Sequence, residues 1–304
     1  MTTNQQTKNY CRICNDDTYG QSRGVQHYCG QCNHYTTKSK FSTKNRISKI
    51  LLLDIETAPR ESYEWKPSQE WTPPIMNIKE ESILCYGAKW LFNPTVIGAS
   101  VTGEEATNRT QESILQPVWE LMDEAEIVVT QNGIDFDIKK LNSKFLLAGF
   151  PPPSKYLNVD VKVWGKKIFG FPYNSLDYYG KAVLGIEGKT KMEFEDWVGC
   201  VESSDEQESY LKKMLKYCKR DVAPLLEDIY LKFLPWIDGH PNLNIYNDSN
   251  SCQCRNCGSG KLSWTLTYPT PQGLWKGFRC LSCGAIGRGK GEGNRIHSSG
   301  AGAK

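Results

Sequence analysis

The sequence predicts an α/β body built on a mixed sheet and flanked by helices, with a small zinc-binding module at each end. Three observations carry this reading. Apolar runs of strand length alternate with segments of helical spacing across residues 45–240. Paired Cys-x2-Cys units stand before and after that stretch. Charge is also divided: residues 1–49 carry +6, residues 241–304 carry +6, and residues 50–240 carry −9, which sums to the +3 of the whole chain.

The body reads in order. KILLLDIE (49–56) is an apolar run ending in acids and predicts a buried strand. SILCYGAKWLF (82–92) and TVIGASVTG (95–103) predict the next two strands. ESILQPVWELMDEA (112–125) has helical spacing and predicts a helix, with Pro117 inside it. EIVVTQN (126–132) predicts a strand, and FDIKKLNSKFLLAG (136–149) a helix stopped at Gly149 before a proline run. SLDYYGKAVLG (175–185) and residues 205–236 predict further helices, the second broken near Pro224.

The cysteines mark the ends. Cys11, Cys14, Cys29 and Cys32 form one set, with 14 residues between the pairs; Cys254, Cys257, Cys280 and Cys283 form another, with 22 between. Four thiolates suit a closed, tetrahedral, structural Zn²⁺ site. His27 or His34 could stand in for a cysteine in the first set, and Cys252 for Cys254 in the second. GKLSWTLTYP and QGLWKGFRC predict a hairpin between the C-terminal pairs, the pattern of a zinc ribbon. Such modules are too small to fold on apolar burial alone, so the metal would supply much of their stability. Trp275, Lys276 and Arg279 interleave aromatic and basic side chains, as single-strand binders do, although Trp275 and Phe278 could equally pack the ribbon. Cys85, Cys200 and Cys218 read as buried thiols, with Cys218 on a different helical face from its neighbour Tyr217.

These divisions predict four parts: a zinc module and basic linker (1–44), the α/β body (45–240), a C-terminal zinc ribbon (241–290) and a disordered Gly/Ser-rich tail (291–304). No apolar run reaches the roughly 18 residues of a membrane helix, and the first residues lack a signal-peptide core. The expectation is a protein of the cytoplasm (host cytoplasm if phage-encoded), with no membrane partner. Basic ends point to a polyanion.

Acids are placed where a sheet would expose them. Asp54 and Glu56, two apart on a strand, project from one face. Asp137 opens a helix just after a strand, and Tyr217 and Asp221 are one helical turn apart. Taken singly, these residues have ordinary explanations: Asp135 and Asp137 as acids facing a helix dipole, Tyr217 as a core aromatic. Gathered in one cleft, the carboxylates would repel, and divalent cations would relieve the repulsion.

LLLDIET, TQNGIDFDIKKL and YCKRD resemble, in that order, the three exonuclease motifs of the DEDD superfamily. The first motif falls on Asp54 and Glu56. The second falls on Asn132, Phe136 and Asp137, which selects Asp137 over Asp135. The third falls on Tyr217 and Asp221; the position where another branch carries His is Lys216, so the tyrosine type (DEDDy) is matched. YCKRD is also similar to the corresponding motif in proofreading domains of family B DNA polymerases, and the wider body resembles stand-alone phage and bacterial relatives of those domains. The likeness covers about 45–236.

The resemblance implies a ribonuclease H-like fold and a metal-dependent 3′→5′ exonuclease. It would act by a two-metal mechanism and release 5′-mononucleotides. Asp54, Glu56, Asp137 and Asp221 would hold two Mg²⁺ or Mn²⁺ ions, and Tyr217 would orient the attacking water. Asn132 and Phe136, with Trp275, Lys276 and Arg279 of the ribbon, are the expected nucleic-acid contacts. The expected partner is single-stranded or 3′-ended DNA, with docking to a replication or repair protein through the zinc modules also open. RNA as substrate, a structure-specific endonuclease on the same fold, and a non-catalytic zinc-binding adaptor are the competing readings.

Overall fold

The computed structural model describes residues 48–66, 71–186, 192–246, 252–289 and 294–297, with the backbone alone for 22–23, 26–29, 34–37, 246 and 297. Strands β1 (Ser22–Arg23), β2 (Gln26–Cys29) and β3 (His34–Thr37) form an antiparallel sheet. Cys29 closes β2; Cys11, Cys14 and Cys32 lie outside the described residues, and with them the N-terminal four-cysteine expectation.

The body is a five-stranded mixed sheet. Its strands are β4 (Ile50–Thr57), β7 (Ile83–Trp90), β8 (Val96–Ser100), β9 (Ile127–Thr130) and β10 (Leu157–Asp160), and a small ribbon of β5 (Glu61–Ser62) and β6 (Asn77–Lys79) stands apart. The sheet order is β10-β9-β4-β7-β8; β9 and β10 run parallel to β4, while β7 and β8 form an antiparallel meander beside it. The helices are α1 (Gly103–Asn108), α2 (Glu112–Glu124), α3 (Asp137–Leu147), α4 (Val161–Ile168), α5 (Leu176–Tyr179), α6 (Phe194–Val201), α7 (Gln207–Arg220) and α8 (Glu227–Phe233). Among the described residues no helix is long and apolar enough to cross a membrane.

Strand alternation sends β4 into two cores. Leu51, Leu53 and Ile55 pack with Val128, with Ile114, Leu115, Val118 and Met122 of α2, and with Leu141 and Phe145 of α3. Ile50 and Leu52 pack with Ile127, Val129, Val222, Leu225, Ile229 and Phe233. In α7, Leu211, Met214 and Cys218 recur at helical spacing and are buried. The helical run breaks after Asp221, where Ala223 is extended (φ −145°, ψ 124°), the conformation that a following proline imposes. α2 runs through Pro117 unbroken.

Two short elements lack the length for a visible hydrophobic period. β10 spans four residues, too few for a visible period. α1 is set by a capping box: the Thr102 hydroxyl accepts from the Glu105 N–H, and Glu105 accepts from the Thr102 N–H.

The ribbon consists of β11 (Leu262–Thr270), β12 (Gly273–Cys280), β13 (Ile286–Arg288) and β14 (Arg295–His297). β14 lies in the Gly/Ser-rich tail that the sequence assigns to disorder; its pairing with Leu274 and Trp275 orders it, because β12 has a free edge there. The first cysteine knuckle is seated on the body. Asn256 is buried and donates its amide N–H groups to the Leu234 and Ile237 carbonyls (2.8 and 3.1 Å), and Arg255 donates to the His240 carbonyl.

His240 is fully buried between Tyr230 and Trp164. Its Nε2 accepts from the Tyr230 hydroxyl at 2.8 Å, and Nδ1–H donates to the Pro241 carbonyl at 2.7 Å, the neutral tautomer. Burial pushes its pKa from 6.5 down to about 4, and the Arg255 charge pushes the same way. The unfolded chain takes up a proton near pH 6.5, whereas the folded chain does so only near pH 4. Stability is therefore lost as pH falls through that window, by about 3 kcal/mol. Urea unfolding at pH 7.5 and pH 5 is expected to show a loss in the wild type that His240→Gln reduces by about 2 kcal/mol, because pH 5 lies part-way through the window. Equal losses in the two proteins would mean that His240 protonates in the folded state.

Candidate metal centre and its neighbouring thiols

The face of β4 that buries Ile50 and Leu52 continues to Asp54 and Glu56, where apolar cover ends. In the ladder with β7, Asp54 lies opposite Gly87 and Glu56 opposite Cys85. A Cβ on Gly87 would stand 3.1 Å from the Cys218 backbone and 3.2 Å from its sulfur. Beside it, Gly98 pairs with Gly87, and a Cβ there would meet the Tyr86 carbonyl at 2.4 Å and Lys219 at 2.8 Å. The two glycines make a notch that admits α7 at Cys218–Lys219. That close approach brings Asp221, one residue beyond α7, to the acids of β4. Oxygens of Asp54, Glu56 and Asp221 all lie within 4.8 Å of one another.

Asp137 reaches the site by another route. β9 pairs with β4 only as far as Leu52, so the β4 edge beyond it is unpaired on that side. The chain turns at Asn132 (φ 71°) into α3, and buried Asp137 accepts the Ile55 N–H at 3.0 Å. Ile55 is the residue between Asp54 and Glu56. Asp135, exposed and paired with Lys139, points elsewhere. Asp160 holds this turn. It is buried, and its carboxylate accepts from the N–H groups of Asn132 (3.0 Å) and Ile134 (3.1 Å) while capping α4 through Lys162 and Val163. Its sequence signal is an N-cap aspartate at the junction of LNVD and VKVWGKKI, which reports a helix start and says nothing of the second segment it grips.

Electrostatics matches a cluster built for cations. Burial, followed by the charges of Asp137, Glu56 and Asp221, raises the Asp54 pKa well above the ordinary carboxylate range. Burial also lifts Asp137, to about 7, with Asp160 adding to the rise. Cys218, read from the sequence as a buried thiol on a different helical face from Tyr217, lies against the acids. Its sulfur lies 3.4 Å from the Asp54 carbonyl oxygen and 3.5 Å from Oδ2. Burial, reinforced by Cys85, pushes the Cys218 thiol up, so it remains S–H and donates to Asp54. Cys85 and Cys200 are buried as the sequence implies.

Tyr217 is half-buried at the end of α7, its ring edge-on to Trp197 at 6.3 Å. Phe136 is half-buried against the first core, with Lys140 over its ring, and the Asn132 side chain accepts from Lys162 at 3.1 Å.

A second cluster gathers the sulfurs of Cys254, Cys257, Cys280 and Cys283 within 4.8 Å of one another. Cys252 is exposed and outside it. Hydrogen bonds from Cys257 and Cys283 pull the Cys254 pKa far down, the response of thiols crowded into one site. Four sulfurs at this spacing could hold a metal ion of the soft, tetrahedral class. On β12, Trp275 and Arg279 share one face. Lys276 lies on the other with Phe278, which is buried and edge-on to Trp264 at 5.0 Å. The expected trio of contacts is thus split between two faces.

The fold and the two clusters define a mixed-sheet α/β protein with a carboxylate centre and a four-cysteine ribbon. No protein-family model matches the chain, and no curated protein matches it. Among solved structures, it is similar to a family B DNA polymerase from the hyperthermophilic archaeon Pyrobaculum calidifontis, with a TM-score of 0.41 and 13% identity. That match covers 66% of this chain and 27% of the polymerase, so the chain spans about a quarter of that protein's length.

A raised aspartate pKa sets the sign of a stability effect. Without a divalent cation, the stability contributed by protonated Asp54 is present at low pH and lost as pH rises through its elevated pKa. Asp54→Asn, measured at pH 8 without Mg²⁺ or Mn²⁺, is therefore expected to raise Tm by about 2–4 °C, the equivalent of ~1 kcal/mol in a chain of this size. Added Mn²⁺ is expected to raise the wild-type Tm and leave that of the variant nearly unchanged. A variant that melts below the wild type without metal, or gains equally from Mn²⁺, would count against a cation centre here.

Proposed function

We propose that the chain is a 3′→5′ exonuclease of the DEDDy type, acting on DNA from single-stranded or frayed 3′ ends. The observation that carries this reading is the convergence of Asp54, Glu56 and Asp221, with Asp137 bonded to the one peptide N–H between the first two. In this reading the sheet is ribonuclease H-like, residues 45–240 are the catalytic domain, and residues 241–290 are a zinc ribbon whose Zn²⁺ sits on Cys254, Cys257, Cys280 and Cys283. Cys11, Cys14, Cys29 and Cys32 hold a second Zn²⁺.

The donor set fits Mg²⁺ or Mn²⁺, which take carboxylate oxygens and keep several waters. Asp54, Glu56 and Asp221 would hold one ion; Asp54 would share a second with Asp137. When bound, such ions neutralise the scissile phosphate and acidify a water near it.

The remaining work belongs to the chain. The Cys218 thiol and the peptide N–H of Ile55 fix the directions in which Asp54 and Asp137 present their free oxygens. The half-buried Tyr217, a helical turn from Asp221, offers a hydroxyl to orient the attacking water, a positioning effect. Asn132 and Phe136 border the turn that sets Asp137 and, in this reading, would meet the terminal nucleotide. An in-line attack on the last phosphodiester bond breaks its P–O3′ bond. It leaves a 5′-mononucleotide and a strand one residue shorter with a new 3′-hydroxyl.

The test uses 5′-labelled single-stranded DNA and RNA of one sequence, with Mg²⁺ or Mn²⁺. The expected result is a ladder shortening from the 3′ end, faster on DNA, and abolished by Asp54→Ala or by chelation. Tyr217→Phe is expected to slow cleavage about 10²-fold while metal binding persists. Asp221→Asn is expected to abolish cleavage yet leave folding and oligonucleotide binding largely intact. If folded, zinc-loaded protein cleaves neither linear, duplex nor circular substrates, the catalytic reading fails and a binding adaptor is the better account.

A further inference from the structure

The ribbon holds a feature that the carboxylate centre does not use. Its described residues, 252–289 and 294–297, contain no Asp or Glu, but contain Arg255, Lys261, Lys276, Arg279, Arg288 and Arg295. Even with −2 from a four-thiolate zinc site, this small unit is strongly positive. It is seated on a body whose sequence carries −9 over residues 50–240.

The positive groups are not evenly spread. Trp275 pairs across the ladder with Tyr268 on one side and Arg295 on the other, while Gly277, two residues on, faces Arg288. Strand alternation therefore puts Trp275, Arg279, Arg288 and Arg295 on one face. The side chains confirm it. The Arg288 guanidinium lies over the Trp275 ring at 4.4 Å and that of Arg295 at 5.9 Å. Trp275 is itself pinned by its indole N–H, which donates to the Thr270 hydroxyl at 3.0 Å. Arg295 donates to the Gln272 carbonyl at 2.6 Å.

Both arginines are exposed. A guanidinium stacked on a fixed indole loses little further freedom on binding and keeps outward N–H groups for a two-pronged contact with phosphate oxygens. With Arg288 over the ring, Trp275 is the platform for the arginine, and the recognition that results is of phosphate more than of base. Two such groups a short distance apart, with no acid among the described ribbon residues, suit successive phosphates of one strand.

We infer that the β12–β13–β14 face built from Trp275, Arg288 and Arg295, with Arg279 at its end, binds the phosphate backbone of a nucleic-acid strand. Arg288 and Arg295 are its principal contacts. Recognition there is independent of base sequence and does not require that the carboxylate centre cleave. An acidic protein surface is the other polyanion such a face could meet, and the experiment separates the two.

Binding of a fluorescein-labelled 20-nucleotide DNA strand to the full chain would be followed by anisotropy, without Mg²⁺ or Mn²⁺ so that cleavage cannot contribute. The variants are Arg288→Gln/Arg295→Gln, the charge-preserving Arg288→Lys/Arg295→Lys, and Lys276→Gln on the opposite face. Zinc content and the far-ultraviolet spectrum would establish that each variant keeps its ribbon. The double Gln variant is expected to weaken binding at least 10-fold and to lower the slope of log Kd against log salt by about 1–2, as the loss of two phosphate contacts requires. The double Lys variant is expected to lie in between, and Lys276→Gln close to the wild type. Wild-type protein that does not bind the strand would overturn the inference in favour of a protein partner. An unchanged salt slope in the zinc-loaded Gln variant would overturn it too, as would an equal loss in Lys276→Gln. Because the readout is binding, an inactive but strand-binding protein would refute the nuclease reading and leave this one standing.

Discussion

α7 packs closely on β7 where residue 87 lacks a side chain, and that close packing brings Asp221 to the carboxylate centre. Methyl groups at these positions would press on the Cys218 backbone and Lys219. A Cβ at residue 87 would oblige the Cys218 turn of α7 to give by a few tenths of an ångström, close to Asp221, which meets Asp54 and Glu56 just past the helix. Packed interiors give way by tenths of an ångström at a substantial cost in energy, so a site spanning three secondary elements inherits its tolerance from the tightest contact among them. The same notch sets the Cys218 thiol on Asp54.

The site is held together from outside its own charges. Neighbouring acids whose charges raise the Asp54 pKa do not stabilise the fold that gathers them. The attractive interactions come from neighbours: the Ile55 N–H on Asp137, the Cys218 thiol on Asp54, and Asp160 gripping the turn ahead of α3. The first two each leave one carboxylate oxygen of their partner outside that bond. Repulsion among such carboxylates would be relieved by divalent cations held between them.

The ribbon solves a different problem. A hairpin of this size has little core of its own; Cys254, Cys280 and Ala285 are the buried members of its cluster. It gains stability from the four-sulfur site and from the body, where Asn256 satisfies two carbonyls left open at the end of the helical run. The seating fixes one side of the knuckle to the body and leaves the arginine-bearing strands exposed. A rigid basic unit against an acidic body can attract a polyanion that the body alone would repel.

Much of this was legible in the chain. Alternation in ILLLDIET gave both the two-core strand and the common projection of Asp54 and Glu56, because the two-residue period of a strand is local geometry. The Cys-x2-Cys spacing placed Cys254, Cys257, Cys280 and Cys283 together because few small structures satisfy four such thiols other than around one centre. The sequence by itself therefore determined β4 with its acids, the strands β7, β8 and β9, the helices α2, α3 and α7, and the ribbon's cysteine set, whereas β10, α4 and α6 left no reading. Only the tertiary structure decided which neighbours orient those groups. Gly87 and Gly98 read as ordinary small residues in strands until a helix is packed on them. That Cys218 touches Asp54, that Asp160 grips the turn ahead of α3, and that Arg288 and Arg295 flank Trp275 follow only from the seating of α7, the folding of that turn and the pairing of β13 and β14 with β12. The physical reason is common to all four. Periodicity and spacing act within one segment, whereas a close approach, a bond between distant segments or a strand pairing depends on the relative placement of two, and that is set only when the whole core closes.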